Sequence, residues 1–151
     1  METITKQVIA LSKNDDTLTF LCNTSALLKE YFNNTNWLGF YLYKNEKLHL
    51  GPFQGKVACE VIDIGKGVCG SSIAQRKVLN VKNVHEFKGH IACDSASNSE
   101  IVLPLIDEEN IYGVLDIDSE LLNRFSSEDE NLLIEIAKVI TERLSKTKDN
   151  Y

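Results

Sequence analysis

The chain has 151 residues, 43% of them hydrophobic and 25% charged, which suits one globular domain with a core of its own and leaves no length for a second. Sixteen basic residues against twenty-two acidic ones give a net charge of −6, and no basic stretch offsets it locally, so nucleic acid and anionic membrane surfaces are excluded as expected partners. METITKQVIALSK lacks the features of a signal peptide and no run reaches transmembrane length, so the expected compartment is the cytoplasm, where four cysteines rest mostly as thiols.

The element order reads as two helices, several strands with a loop insertion, and a closing helix. Residues 15 to 33 open with Asp15 or Asp16 as N-cap and place Leu18, Leu21, Cys22, Leu28 and Phe32 at helical spacing, which puts Cys22 in a buried stripe. NWLGFYLY then alternates: Leu38, Phe40 and Leu42 face one way, while Trp37, Gly39, Tyr41 and Tyr43 face the other. Lys44-Asn45-Glu46 turns into the short strand LHLG, and ACEVIDIG reads as a third strand ending at Gly65. Gly67 and Gly70 mark a tight turn that feeds a short helix starting near Cys69. Residues 83 to 99 form a polar loop longer than most connections in a compact domain. IVLPLID and IYGVLDID follow as a hairpin turned at Glu108-Glu109-Asn110, with Tyr112, Val114, Asp116 and Asp118 on one face of the second strand and Ile111, Leu115 and Ile117 on the other. Ser127 with Glu130 makes a capping box for a last helix that carries Leu132, Leu133, Ile136, Ile140 and Leu144 along one side.

Cys59, Cys69 and Cys93 lie in glycine-bearing polar segments, where thiol chemistry is a better account than packing. The turn GKGVCG sets Cys69 at a helix start, whose positive dipole end favours a thiolate, so an acidic thiol is expected there. Cys93, with His90 three residues before it and Asp94 after it, sits in the long loop and suits a nucleophile or its partner. Zinc held by Cys59, Cys69, Cys93 and one of His49, His85 or His90 is a rival, but these cysteines lack the close pairs of structural zinc sites. A hydrolase using His85 or His90 as base is a weaker rival, since no GxSxG elbow is present. Acidic residues at strand ends are ordinarily just solvated. If the face bearing Asp116 and Asp118 turns inward beside Glu100, however, crowding holds one carboxyl protonated near neutrality. Trp37 and Tyr41 then serve either as the apolar wall of that site or as plain core.

On the segments NWLGFYL, LGPFQGKVAC, GKGVCG, VHEFKGHIACDSASNSEIVLPL, GVLDIDS and RFSSEDE, the chain resembles the free methionine-(R)-sulfoxide reductases, enzymes built on a single GAF domain. The resemblance spans most of the chain, and three cysteines in these contexts are far more specific than a generic GAF pattern. It implies an α+β GAF domain over residues 1–151, with a central six-stranded antiparallel sheet, helices packed mainly on one side, and usually a homodimer. It implies thiol reduction of free L-methionine (R)-sulfoxide without a cofactor or metal, with thioredoxin restoring the dithiol. By the same resemblance Cys59, Cys69 and Cys93 are the redox cysteines, Glu100, Asp116 and Asp118 contact the sulfoxide, and Trp37 and Tyr41 line the pocket for the methyl end. Cys93 is the expected nucleophile and Cys59 the first resolver, with Cys69 forming an alternative disulfide. The loop from Asn83 to Ser99 is expected to enclose a small zwitterion whose carboxylate meets backbone N–H groups near Gly67 to Ser72. The competing class is a GAF module that senses a small molecule or redox state without turnover. Against it stand three loop thiols and a chain that ends at KTKDNY soon after its closing helix.

Overall fold

The computed structural model describes residues 1–89 and 96–151. Its elements are α1 (Thr3–Leu11), α2 (Thr17–Tyr31), β1 (Trp37–Lys44), β2 (Lys47–Gln54), β3 (Val61–Asp63), α3 (Gly67–Gln75), β4 (Leu79–Val81), a 3₁₀ turn (Val84–Glu86), β5 (Ser99–Ile106), β6 (Ile111–Ser119) and α4 (Ser127–Ser145). The strands form one six-stranded sheet in the order β3-β2-β1-β6-β5-β4, antiparallel at every pairing. Among the described residues no helix is long and apolar enough to cross a membrane.

Strand alternation assigns the two faces. Leu38, Phe40 and Leu42 of β1 join Ile101, Leu103 and Leu105 of β5 and Leu115 and Ile117 of β6 in an aliphatic layer covered by α1, α2 and α4. The opposite face carries Trp37, Tyr41, Val102 and Val114 under α3, which contributes Val68, Cys69 and Ile73. Helices therefore lie mainly on one side, as expected, and among the described residues α3 is the helix on the other.

Capping explains where the helices begin. Asp16 is the N-cap of α2, its side chain accepting from the Thr19 N–H at 2.9 Å. Asp149, from the far end of the chain, accepts from the Thr17 N–H at 2.9 Å and the Thr17 hydroxyl at 2.6 Å, so a second carboxylate satisfies the same helix end. The buried face of α2 is Phe20, Leu21, Thr24, Ser25 and Leu28, while Leu18 and Cys22 are exposed. Cys22 thus does not occupy the buried stripe: the helix turns Phe20 inward, and its i+4 and i+8 positions are Thr24 and Leu28. The capping box of α4 is Ser126 with Asp129, one residue earlier than read from the sequence. Asp129 is preferred because Arg124 Nη1 also donates to its Oδ2, at 2.9 Å.

Asn45 and Glu46 both adopt positive φ, +52° and +63°, the pattern of a tight two-residue hairpin turn. β2 is longer than expected and β3 is only three residues, so Cys59 lies before β3 in irregular backbone. β4 was not expected at all. Its three residues are too few to show a period, and pairing with β5 is what makes them a strand. Pro104 of β5 lies beyond the last β4 pair, Leu79 with Val102, so the N–H it lacks is not needed on that edge.

A register shift between Leu105 and Ile106 exchanges the faces at the start of β6. Tyr112 packs on the aliphatic layer and Ile111 on the Trp37 side, the reverse of simple alternation. At the adjoining Gly113, a Cβ would lie 2.1 Å from the Tyr41 carbonyl oxygen, so the β1–β6 pairing closes only over glycine. Gly113→Ala is expected to cost about 3 kcal/mol in urea unfolding, with an unchanged m-value marking a loss of stability rather than of cooperativity.

Candidate active site

Period-two geometry builds the site in rows across the sheet. Val81, Glu100, Asp118 and Trp37 are Cα partners from β4 to β1, and Leu79, Val102, Asp116, Gly39 and Phe53 form the next row. Three carboxylates and the aromatic wall therefore share the face under α3. Gly39 is required in that row, since a Cβ there would come within 2.3 Å of Phe53 Cβ and 2.9 Å of Trp37 Cη2. Its absence lets the Trp37 ring stack on both Phe53, at 5.2 Å and 16°, and Tyr41, at 5.9 Å and 24°.

The polar centre is tight and dry. Single ligand-capable atoms of Cys69, Glu100 and Asp116 lie within 4.8 Å of one another. Glu100 is 7% and Asp116 5% exposed, and Asp118 is half-buried. Burial is the first cause that pushes Glu100 well above the usual carboxylate range, followed by the charges of Asp116 and Asp118. Asp116 is also raised by burial, but hydrogen bonds from Glu100 and Cys69 oppose the rise. Both carboxyls are thus held toward their protonated forms, Glu100 the more strongly, and Asp116 Oδ1 finds no hydrogen-bond donor among the described residues. Tyr41 is likewise held in its protonated form, first by burial and then by Asp116.

Cys69, the third residue of α3, is a buried free thiol. The expectation of an acidic thiol at a helix start is overturned: burial first, and then Asp116, Glu100 and Asp118, push its pKa well above the ordinary value. Three adjacent acidic groups in a dry environment outweigh the half charge of a helix end. Of the amides near that end, Gly67 donates to the Gly89 carbonyl at 3.2 Å and Gly70 to the Lys66 carbonyl at 3.0 Å, which takes both out of the expected carboxylate pocket.

The remaining sites divide. Cys59 is half-buried, and its carbonyl accepts from the Tyr41 hydroxyl at 2.9 Å. Cys93, with His90 and Asp94, lies outside the described residues. Among the described residues the metal-capable cluster is one thiol with two carboxylates, and the cysteine–histidine set weighed from the sequence includes Cys93, which lies outside them. His49 Nε2 donates to the Lys44 carbonyl and His85 Nε2 to Asn98 Oδ1. The two hydrogen bonds that hold residues 56 and 59 were not read from the sequence. The indole and hydroxyl that donate them were visible there, but not the carbonyls they meet.

Because the fold binds the Glu100 proton more tightly than the unfolded chain, stability is highest below the ordinary value of 4.5 and falls as pH rises from there toward the elevated folded value. Glu100→Gln removes that titration. Its Tm relative to wild type is expected to gain about 2–4 °C between about pH 4 and pH 8, read by calorimetry. A difference that stays constant over this window would contradict the buried proton.

Residues 16–144 match a family model described as GAF domain. The chain is 52% identical over 130 residues to the free methionine-R-sulfoxide reductase of Escherichia coli K12, covering 86% of this chain and 79% of that protein. The reduced form of fRMsr of Staphylococcus aureus superposes with a TM-score of 0.89 at 46% identity, covering 93% of this chain and 92% of that one. The X-ray structure of free methionine-R-sulfoxide reductase from Neisseria meningitidis in complex with its substrate gives 0.89 at 41% identity, covering 94% and 86%. Agreement of sequence and backbone over nearly the whole length means that the chain belongs to the free methionine-R-sulfoxide reductase family of GAF-domain proteins.

Proposed function

We propose that the protein reduces free L-methionine (R)-sulfoxide to methionine by thiol chemistry on the face under α3. The observation that carries the reading is the buried Glu100–Asp116 pair at the end of the Trp37–Tyr41 wall, in which burial holds Glu100 well above the usual carboxylate range and a hydrogen bond links the two. A sulfoxide needs this combination. Its oxygen must receive a proton as sulfur is attacked, and its methyl group favours an apolar surface.

In the proposed sequence the Cys93 thiolate attacks the sulfoxide sulfur while Glu100 protonates the oxygen, with Asp116 and Asp118 orienting the polar end. Oxygen passes to Cys93 as a sulfenic acid, methionine leaves, and Cys59 condenses with the sulfenic acid to a disulfide and water. Cys69, buried and held as a thiol, suits a hydrogen-bond donor to Asp116 better than the alternative disulfide. The substrate carboxylate is assigned to the amides of Val68 and Cys69. The family resemblance supports thioredoxin as the dithiol donor and a homodimer as the working unit.

Reduced protein given each epimer of free methionine sulfoxide is expected to consume the R-epimer alone, scored by chiral amino-acid analysis, and Cys93→Ser is expected to abolish the reaction. Turnover of neither epimer would sink the proposal. A second expectation concerns the proton. Since Glu100 must be protonated to act, kcat falls as pH climbs through its raised pKa, and Glu100→Gln lowers kcat by roughly 10²- to 10⁴-fold and removes that alkaline limb.

A further inference from the structure

The segment from Gly55 to Glu60 crosses the Trp37 face without belonging to a helix or strand. Its contact with the sheet backbone among the described residues is made at its end, where the Leu50 N–H donates to the Glu60 carbonyl at 2.9 Å. Besides the disulfide at Cys59, two side chains of β1 hold the rest. The Trp37 indole N–H donates to the Lys56 carbonyl at 3.1 Å, and the Tyr41 hydroxyl donates to the Cys59 carbonyl at 2.9 Å. Val57, between those two carbonyls, is 89% exposed, while Ala58 and Cys59 are partly buried against the Trp37 face.

Tyr41 is well built for this work. It is 2% exposed, and its ring is fixed by the Trp37–Phe53 stack, so its hydroxyl reaches the carbonyl with little rotamer entropy left to lose. Its raised pKa keeps it a donor at any physiological pH. A buried hydroxyl aimed at the backbone of Cys59 is more than a methyl-binding wall requires, for which phenylalanine would serve.

We infer that Tyr41 is a positioning residue for Cys59, holding its thiol in place for the resolving step. The inference rests on the reading proposed above. In that step the Cys59 sulfur attacks the sulfenic sulfur of Cys93, the S–S bond forms, the S–O bond breaks, and oxygen leaves as water with the thiol proton. Loss of the Tyr41 hydrogen bond therefore slows disulfide formation relative to the methionine release that precedes it.

The test uses Tyr41→Phe, which keeps the ring and its stacking. Fully reduced wild type, Tyr41→Phe and Cys59→Ser are each mixed with one equivalent of free methionine-R-sulfoxide and dimedone, a sulfenic acid trap. Methionine and the intact protein mass are followed together. Tyr41→Phe is expected to form its disulfide roughly 2- to 10-fold more slowly once its own methionine burst is complete, and to trap dimedone to a level between wild type and Cys59→Ser. A normal methionine burst with wild-type trapping overturns the inference alone, and so does a slower burst with unchanged trapping, which would make Tyr41 only a wall. No methionine from the wild type removes the reading beneath it and the inference with it.

Discussion

A proton buried between two carboxylates is the constraint around which this fold is arranged. Glu100 and Asp116 stand on adjacent strands, in neighbouring rows of one sheet face, and both are almost withdrawn from water. Such a pair is tolerated only because one member stays neutral and donates to the other. The pair would lose this character if the face were wetter, and α3 together with the aromatic stack keeps it dry. The opposite face contains none of this chemistry. Its aliphatic residues, packed under three helices, supply stability that offsets the burial of carboxylates on the other face.

Much of this arrangement was legible in the residues. Alternation in NWLGFYLY separated the aliphatic from the aromatic face, and alternation in GVLDIDS put Asp116 and Asp118 together, because a two-residue period leaves a strand little freedom once one side is buried. What sequence could not show depends on partners distant in the chain. β4 exists because β5 offers it hydrogen bonds. The switch of faces at Ile111 and Tyr112 comes from a register shift set by the hairpin. Cys22 went outside because Phe20 is the larger residue to bury, and burying it rotates the helix. The Cys69 thiol is held neutral first by its burial and then by acidic groups on β5 and β6, which no local rule about helix ends contains.

The division between rigid and lightly held parts follows the chemistry. Glu100, Asp116, Trp37 and Tyr41 all project from paired strands, where neighbouring rows fix their spacing. Cys59 sits instead in irregular backbone tied to that rigid surface at a few points. Under the proposed cycle, a sulfur that changes partners is better carried on such a segment than on a strand, whose ladder would resist each displacement.

The pairing of β1 with β6 also orders events during synthesis. Trp37 meets Asp118 and Gly39 meets Asp116, so the aromatic wall and its carboxylates come from opposite ends of the chain. A ribosome that has made only the first hairpin has produced an apolar strand, β1, with one unsatisfied edge and no partner for it until β6 emerges. Topology of this kind folds slowly and leaves a nascent strand exposed, which makes the early chain a natural client for chaperones that shield open sheet edges.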